Sequence, residues 1–184
     1  MSIKRVLHYG EASLREKSKE VHKVSRKITD LVRDLFDTMY ANNGVGLAAP
    51  QIGVNLRVFV IDASTKEEPL DPMVFINPKI IKKSGAVKSN EGCLSFPGAY
   101  TDVVRYKDIL VKALNEHGKT FVMEVKGGSL LARAIQHEND HLDGVLFIDH
   151  CLNRFETEET LKKSNLPNID PDLLLEETEL KKQL

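Results

Sequence analysis

The spacing of hydrophobic positions changes along the chain. Residues 25–42 carry Ile28, Leu31, Val32, Leu35, Phe36 and Met39 at i, i+3, i+4 spacing, which predicts an amphipathic helix capped by Ser25. Residues 56–62, Leu-Arg-Val-Phe-Val-Ile-Asp, predict a strand. A second strand is predicted over 73–81, with Pro78 restricting part of it to an edge or a bulge. Residues 100–106, 109–115 and 120–125 predict three short strands, the last two joined by a hairpin at Glu116-His117-Gly118-Lys119. Helical spacing returns over 129–144. There Leu130, Leu131, Ala134, Ile135 and Leu142 form the apolar side, Ser129 is the N-cap candidate and Gly144 the stop. A short strand over 145–148 and helices over 153–163 and 171–183 complete the pattern.

The polar stretches between these elements predict connections. Residues 1–24 read as extended and irregular, with a turn at Gly10, and the charged segment 63–72 with its two prolines reads as a surface loop. Residues 43–53 and 90–98 are rich in glycine and proline and are expected to be loops. Beyond residue 153, lysines 162, 163, 181 and 182 nearly balance Asp170, Asp172, Glu176, Glu177 and Glu179, the composition of a solvated, partly frayed tail.

Length and charge narrow the class. The 184 residues suit one domain with a real core. A net charge of −1 gives no global field toward nucleic acid or membrane, and no apolar run of 18 residues predicts a membrane span. The first residues lack the apolar centre of a signal peptide. Two cysteines, Cys93 and Cys151, fit a reducing cytoplasm better than a disulfide scaffold.

The chemistry concentrates in the helix predicted over 129–144, which contains His137-Glu138-Asn139-Asp140-His141. Histidines four apart project from one helix face, one turn from each other, where both rings can meet a single metal ion. Glu138 follows the first histidine, where its carboxylate reaches a water rather than the metal. The competing reading is a structural helix that happens to carry two histidines. It is disfavoured because turning His and Glu toward a packed side without partners costs several kcal/mol. Two ligands are not enough, and Cys93, in the loop predicted over 90–98, is a candidate third. The glycine-rich loop at 43–53 lacks the lysine of a phosphate-binding loop. Its Gln51 is equally readable as an oxyanion donor or as a structural amide that satisfies loop backbone.

The pentapeptide alone does not fix the enzyme class. The extended pattern with a third histidine is excluded, because Phe147 stands at that position. A downstream glutamate as third ligand, from 156–159 or 176–179, stays formally open. So does a closed structural zinc site completed by His150 or Cys151.

Three blocks taken together resemble the motifs of peptide deformylase: Gly44-Val45-Gly46-Leu47-Ala48-Ala49-Pro50-Gln51, Glu91-Gly92-Cys93-Leu94-Ser95 and Gln136-His137-Glu138-Asn139-Asp140-His141-Leu142. Their order and rough spacing match as well. The resemblance covers about residues 1–152, implying a single catalytic domain there and a helical extension or partly flexible tail over 153–184. It implies an α+β fold, with short antiparallel β-sheets packed around a central metal-bearing helix. It implies Cys93, His137 and His141 as ligands of one divalent ion, Fe²⁺ in the cell, with Zn²⁺, Ni²⁺ or Co²⁺ able to occupy the site. Glu138 is then the general base, and the Gln51 amide and Leu94 N–H stabilise charge on the formyl oxygen. Gly46 binds the substrate chain through its backbone, and Val45 and Ala134 are expected beside the methionine side chain. Arg133 is expected at the rim, by its stem or its guanidinium. Tyr100 lies near a stretch where some relatives place a peptide-binding arginine. The implied substrate is the N-formyl-methionyl end of nascent peptides, met in the cytoplasm and near the ribosomal exit tunnel, and the alternative is another metallopeptidase of the same pentapeptide.

Overall fold

The computed structural model describes residues 2–65, 69, 72–175 and 178–184. In chain order its main elements are α1 (Arg26–Ala41), β1 (Gly46–Ala48), β2 (Val58–Ile61), β3 (Met73–Gly92), β4 (Tyr100–Leu114), β5 (Thr120–Val125), α2 (Leu130–Leu142), α3 (Arg154–Lys163) and α4 (Thr178–Lys181). The strands form one antiparallel sheet in the order β1-β2-β3-β4-β5, so the α+β expectation holds.

β2 shows how the layers form. All four of its residues, Val58, Phe59, Val60 and Ile61, are buried. Side chains alternate across a strand, so Val58 and Val60 meet one layer and Phe59 and Ile61 the other. On one side Ile28, Leu31, Val32, Leu35 and Met39 of α1 pack with Val58, Val60, Val74 and Ile76. On the other, Ala132, Ile135 and Leu142 of α2 pack with Phe59, Ile61, Phe75, Ile109 and Val111. A strand covered on both faces must be apolar throughout, which is why 58–61 reads as an unbroken hydrophobic run.

Tertiary pairing overrides several local expectations. β3 is 20 residues long and continues through the polar stretch that follows residue 81, because β4 pairs with it from Ile76↔Leu114 to Gly92↔Tyr100. Register shifts at Ile76/Lys79 and Ile80/Lys82 absorb Pro78, the bulge its presence predicted. Asn90, Glu91 and Gly92 are therefore strand residues, and the two strands expected over 100–106 and 109–115 are one. β1 arises inside the expected loop 43–53 by pairing with β2. The strand expected over 145–148 is instead a 3₁₀ turn at Phe147–His150, and only a single bridge, Val103↔Cys151, joins this region to the sheet.

Ser25 stands before α1 without a side-chain capping bond, whereas Ser129 caps α2 as expected, its Oγ accepting from the Ala132 N–H at 3.3 Å. Gly144 has φ +71°, and a Cβ there would run into the Arg15 carbonyl, so glycine is required where the chain leaves α2.

The C-terminal segment departs from a solvated tail. α3 forms as expected, but the helix expected over 171–183 is reduced to a 3₁₀ turn at Pro171–Leu173 and the four-residue α4, with residues 176 and 177 outside the described set. Leu161, Ile169 and Leu180 are buried, and the first two join Leu14, Phe96, Val103 and Phe147 in a third apolar cluster. Leu161→Ala should therefore destabilise the protein by about 3 kcal/mol in urea unfolding, the range for a buried leucine, where a solvated tail would give almost no change.

Candidate metal centre

α2 crosses the sheet with one end of its polar side against β4. The Gln136 side chain pairs with the Tyr106 backbone as a neighbouring strand would: its Oε1 accepts from the Tyr106 N–H and its Nε2 donates to the Tyr106 carbonyl, both at 2.9 Å. This fixes the rotation of the helix, so His137, Glu138 and His141 face the turn that follows β3. There the ligating atoms of Cys93, His137 and His141 lie within 4.8 Å of one another. Cys93 Sγ is 3.3 Å from His141 Nε2.

A thiolate and two imidazoles are donors that a borderline divalent ion accepts, and their convergence fits one ion. Glu138 stands beside them, buried, and its Oε2 has no hydrogen-bond partner among the described residues. Burial pushes its carboxyl up to about 7, against the opposing pull of a positive His137. Its other oxygen is closely packed: a Cβ placed on Gly46 would sit 2.5 Å from Glu138 Oε1. Only glycine lets β1 pass this close to the carboxylate.

Behind the ligands lies a network without a role in the sequence reading. His137 Nδ1 is 3.0 Å from Glu91 Oε2, the arrangement that would leave Nε2 available to a metal ion. Arg105 grips Glu91 with two hydrogen bonds of 3.0 and 2.8 Å and also pairs with Asp140, whose Oδ2 is 2.9 Å from His150 Nε2. Glu91 is buried, yet Arg105 and His137 hold its carboxyl well below the usual range. Burial likewise opposes the charge on Asp140, and Arg105 and His150 prevail, bringing it down to about 2. Glu91, Gln136 and Asp140 lay within the recognisable blocks. Arg105 had one signal, a charge directly after the apolar pair Val103-Val104 in a strand.

Two turns carry Gln51 and Leu94 beside these side chains. Gln51 is 1% exposed and oriented by the Ala48 N–H, which donates to its Oε1 at 2.8 Å. Nε2 must then face the site, donating to Ser95 Oγ at 3.2 Å and lying 3.3 Å from Cys93 Sγ. The Leu94 backbone N–H has no hydrogen-bond partner among the described residues.

Most of the expected residues share one cavity of about 530 Å³: Val45, Gly46, Gln51, Cys93, Leu94, Arg133, Ala134, His137 and Glu138 all line it. His141 is buried beneath it. Arg133 lines the wall with its guanidinium already engaged by the Gly128 carbonyl and Ser89 Oγ. Tyr100 also lines the cavity, its ring lying against Gly92. Of the alternative ligands, Glu176 and Glu177 lie outside the described residues. Among the described residues the metal-ligating group holds only Cys93, His137 and His141; His150 pairs with Asp140, and Cys151 sits in the third apolar cluster.

This is the architecture expected of a mononuclear metallohydrolase: a candidate ligand set lies at the cavity, beside a buried carboxylate with one oxygen unpartnered among the described residues. Comparison with known proteins specifies it further. The family model described as polypeptide deformylase matches residues 3–157. Peptide deformylase 1 of Clostridium perfringens is 48% identical over 152 residues, 83% of this chain and all of that protein. The crystal structure of a peptide deformylase from Synechococcus elongatus in complex with actinonin superposes with a TM-score of 0.82 at 39% identity, covering 92% of this chain and 88% of that one. The structure of peptide deformylase from Thermotoga maritima gives 0.77 at 37% identity, covering 83% and 100%. The chain belongs to the peptide deformylase family, and it is an enzyme that hydrolyses the N-formyl amide of nascent peptides with the help of a metal ion.

Two outcomes follow from this geometry. Glu91→Gln should weaken metal binding about 10- to 100-fold in chelator competition, because His137 loses the carboxylate that orients it. Gly46→Ala should keep the metal, read by elemental analysis, while displacing the Glu138 carboxylate and lowering kcat by at least about tenfold if that carboxylate takes part in the reaction.

Proposed function

We propose that Cys93, His137 and His141 hold the metal, that Glu138 is the general base, and that the Gln51 amide and Leu94 N–H receive the charge on the formyl oxygen. The observation that carries this reading is the convergence of the three donors within 4.8 Å beside the buried, unpartnered Glu138 Oε2. A divalent ion held there supplies positive charge and makes a water more acidic. Glu138 takes a proton from the attacking water as its oxygen bonds to the formyl carbon. Charge grows on the formyl oxygen, where the two N–H donors are directed, each typically worth about 3 kcal/mol. Glu138 then returns the proton to the departing nitrogen as the C–N bond breaks, giving formate and a free amine.

Gly46 is the backbone contact for the substrate chain, with Val45 and Ala134 forming the slot for methionine and Arg133 the rim. Their common lining of the cavity supports this. A formyl carbon carries only hydrogen, so a tight site rejects acetyl by steric clash. Fe²⁺ is assigned as the ion in the cell; the thiolate–imidazole donor set accepts it, and equally Zn²⁺, Ni²⁺ and Co²⁺. Protein isolated without oxygen should contain iron by elemental analysis. The working partners are formyl-methionyl peptides at the ribosomal exit tunnel in the cytoplasm, consistent with the lack of any helix among the described residues long and apolar enough to cross a membrane. The catalytic domain is assigned to residues 1–152 and the extension to 153–184, a division supported by the end of the family match at residue 157.

The direct test compares formyl-Met, acetyl-Met and internally cleavable peptides; only the first should be turned over. Glu138→Gln should abolish that turnover with metal content unchanged. Loss of the metal from this variant would instead make Glu138 a ligand and overturn its assignment as a base.

A further inference from the structure

The N-terminal segment touches both turns that build the oxyanion end of the site. The Leu7 N–H donates to the Gln51 carbonyl at 2.8 Å, and the Tyr9 N–H donates to the Ser95 carbonyl at 2.9 Å. The three-residue segment Leu7–Tyr9, which leads into a turn at Tyr9-Gly10, thus bridges the turn that carries the Gln51 amide to the turn that carries Cys93, Leu94 and Ser95. From the inside, the same two turns are joined by Gln51 Nε2 and Ser95 Oγ. The relative position of Gln51 and the Leu94 N–H therefore depends on where this segment lies.

Tyr9 is half-buried and held by three contacts. Its ring stacks on Phe96 with centroids 4.6 Å apart and 20° between planes, and Phe96 lines the catalytic cavity. The Arg15 guanidinium, anchored to Asp149, sits 5.8 Å from the ring centre. The Tyr9 hydroxyl donates to the Asn168 carbonyl at 3.1 Å. That carbonyl belongs to the C-terminal segment, beyond the end of the family match. The segment is itself tied down: Ile169 is buried in the cluster containing Leu14 and Phe96, and the Leu175 N–H donates to the Asp149 carbonyl at 2.9 Å.

We propose that Tyr9 is a positioning residue, through which the C-terminal segment around Asn168 holds the Gln51 and Ser95 turns at the spacing that oxyanion stabilisation requires. The proposal rests on the reading of Gln51 as an oxyanion donor. Tyr9 touches neither substrate nor metal in this account. Its effect belongs on charge formed in the transition state rather than on binding, so it should move kcat and leave KM alone. A side chain that only fills the core would instead lower the stability of the whole protein.

The experiment is a double-mutant cycle in the full-length, metal-loaded enzyme, using a formyl-methionyl peptide, accompanied by amide hydrogen exchange. Tyr9→Ala should lower kcat about tenfold with KM within about twofold, and Tyr9→Phe, which keeps the stack and loses only the hydroxyl, should fall between the two. In a Gln51→Leu background, Tyr9→Ala should cost less than about twofold, because the group it positions is gone. In Tyr9→Ala, exchange should quicken at the amides of Leu7, residue 9 and Phe96, whose N–H closes the second turn on the Cys93 carbonyl, and stay unchanged in β2 and α2. Unchanged kcat in Tyr9→Ala, full additivity with Gln51→Leu, or an equal rise of exchange in β2 and α2 would each overturn the proposal. If Gln51→Leu alone alters only KM, the oxyanion role of Gln51 fails; local exchange in Tyr9→Ala then decides separately whether Tyr9 holds the two turns.

Discussion

The buried ion pair between Arg105 and Glu91 is the constraint on which the site depends. Arg105 is 2% exposed, and a guanidinium so far from water is tolerable only when its donors are met by charge. Glu91 meets it at the end of β3 and Asp140 meets it on α2, so one side chain of β4 joins three elements. Taking away one member of such a group strands the others, which typically costs about 3–5 kcal/mol. That coupling makes the network a geometric specification as well as a source of stability. Glu91 can hold His137 Nδ1 because Arg105 holds Glu91.

The metal end of the site thus inherits its precision from the sheet. Gln136 adds a second tie between α2 and β4, one residue before the first ligand. Close backbone approaches complete the arrangement. At Gly46 the missing side chain makes room for the Glu138 carboxylate, and at Gly144 the chain turns out of α2 against the Arg15 carbonyl. Both glycines are spatial requirements set by neighbours distant in sequence.

The end of the site around Gln51 and Leu94 is organised differently. It consists of two turns joined by hydrogen bonds and backed by the N-terminal segment, with the apolar cluster around Phe96 and Phe147 beneath it. Phe147 also lies 5.7 Å from the His137 ring, so the cluster supports both ends of the site. The C-terminal segment contributes Leu161 and Ile169 to this cluster. Its many charges lie on a chain of which Leu161, Ile169 and Leu180 are buried, while Phe155, Leu173 and Leu184 stay exposed.

What the sequence determined by itself was local or periodic. The stripe of α1, the apolar run of β2, the histidine spacing on α2 and the bulge at Pro78 follow from backbone periodicity and from proline chemistry, which neighbouring residues express without help. The three short blocks also fixed the family and drew attention to Cys93, Gln51 and Glu138, because unusual residues at fixed spacing survive reading in one dimension. The tertiary structure decided what depends on partners far along the chain. β3 extends through a polar stretch because β4 supplies its hydrogen bonds, and β1 forms because β2 lies beside it. The sequence 145–148 looks like a strand yet becomes a turn, and a charged tail is anchored by Leu161 and Ile169, which enter an apolar cluster built by distant elements. Arg105 carries no motif, and its place between two carboxylates exists only once β3, β4 and α2 have met.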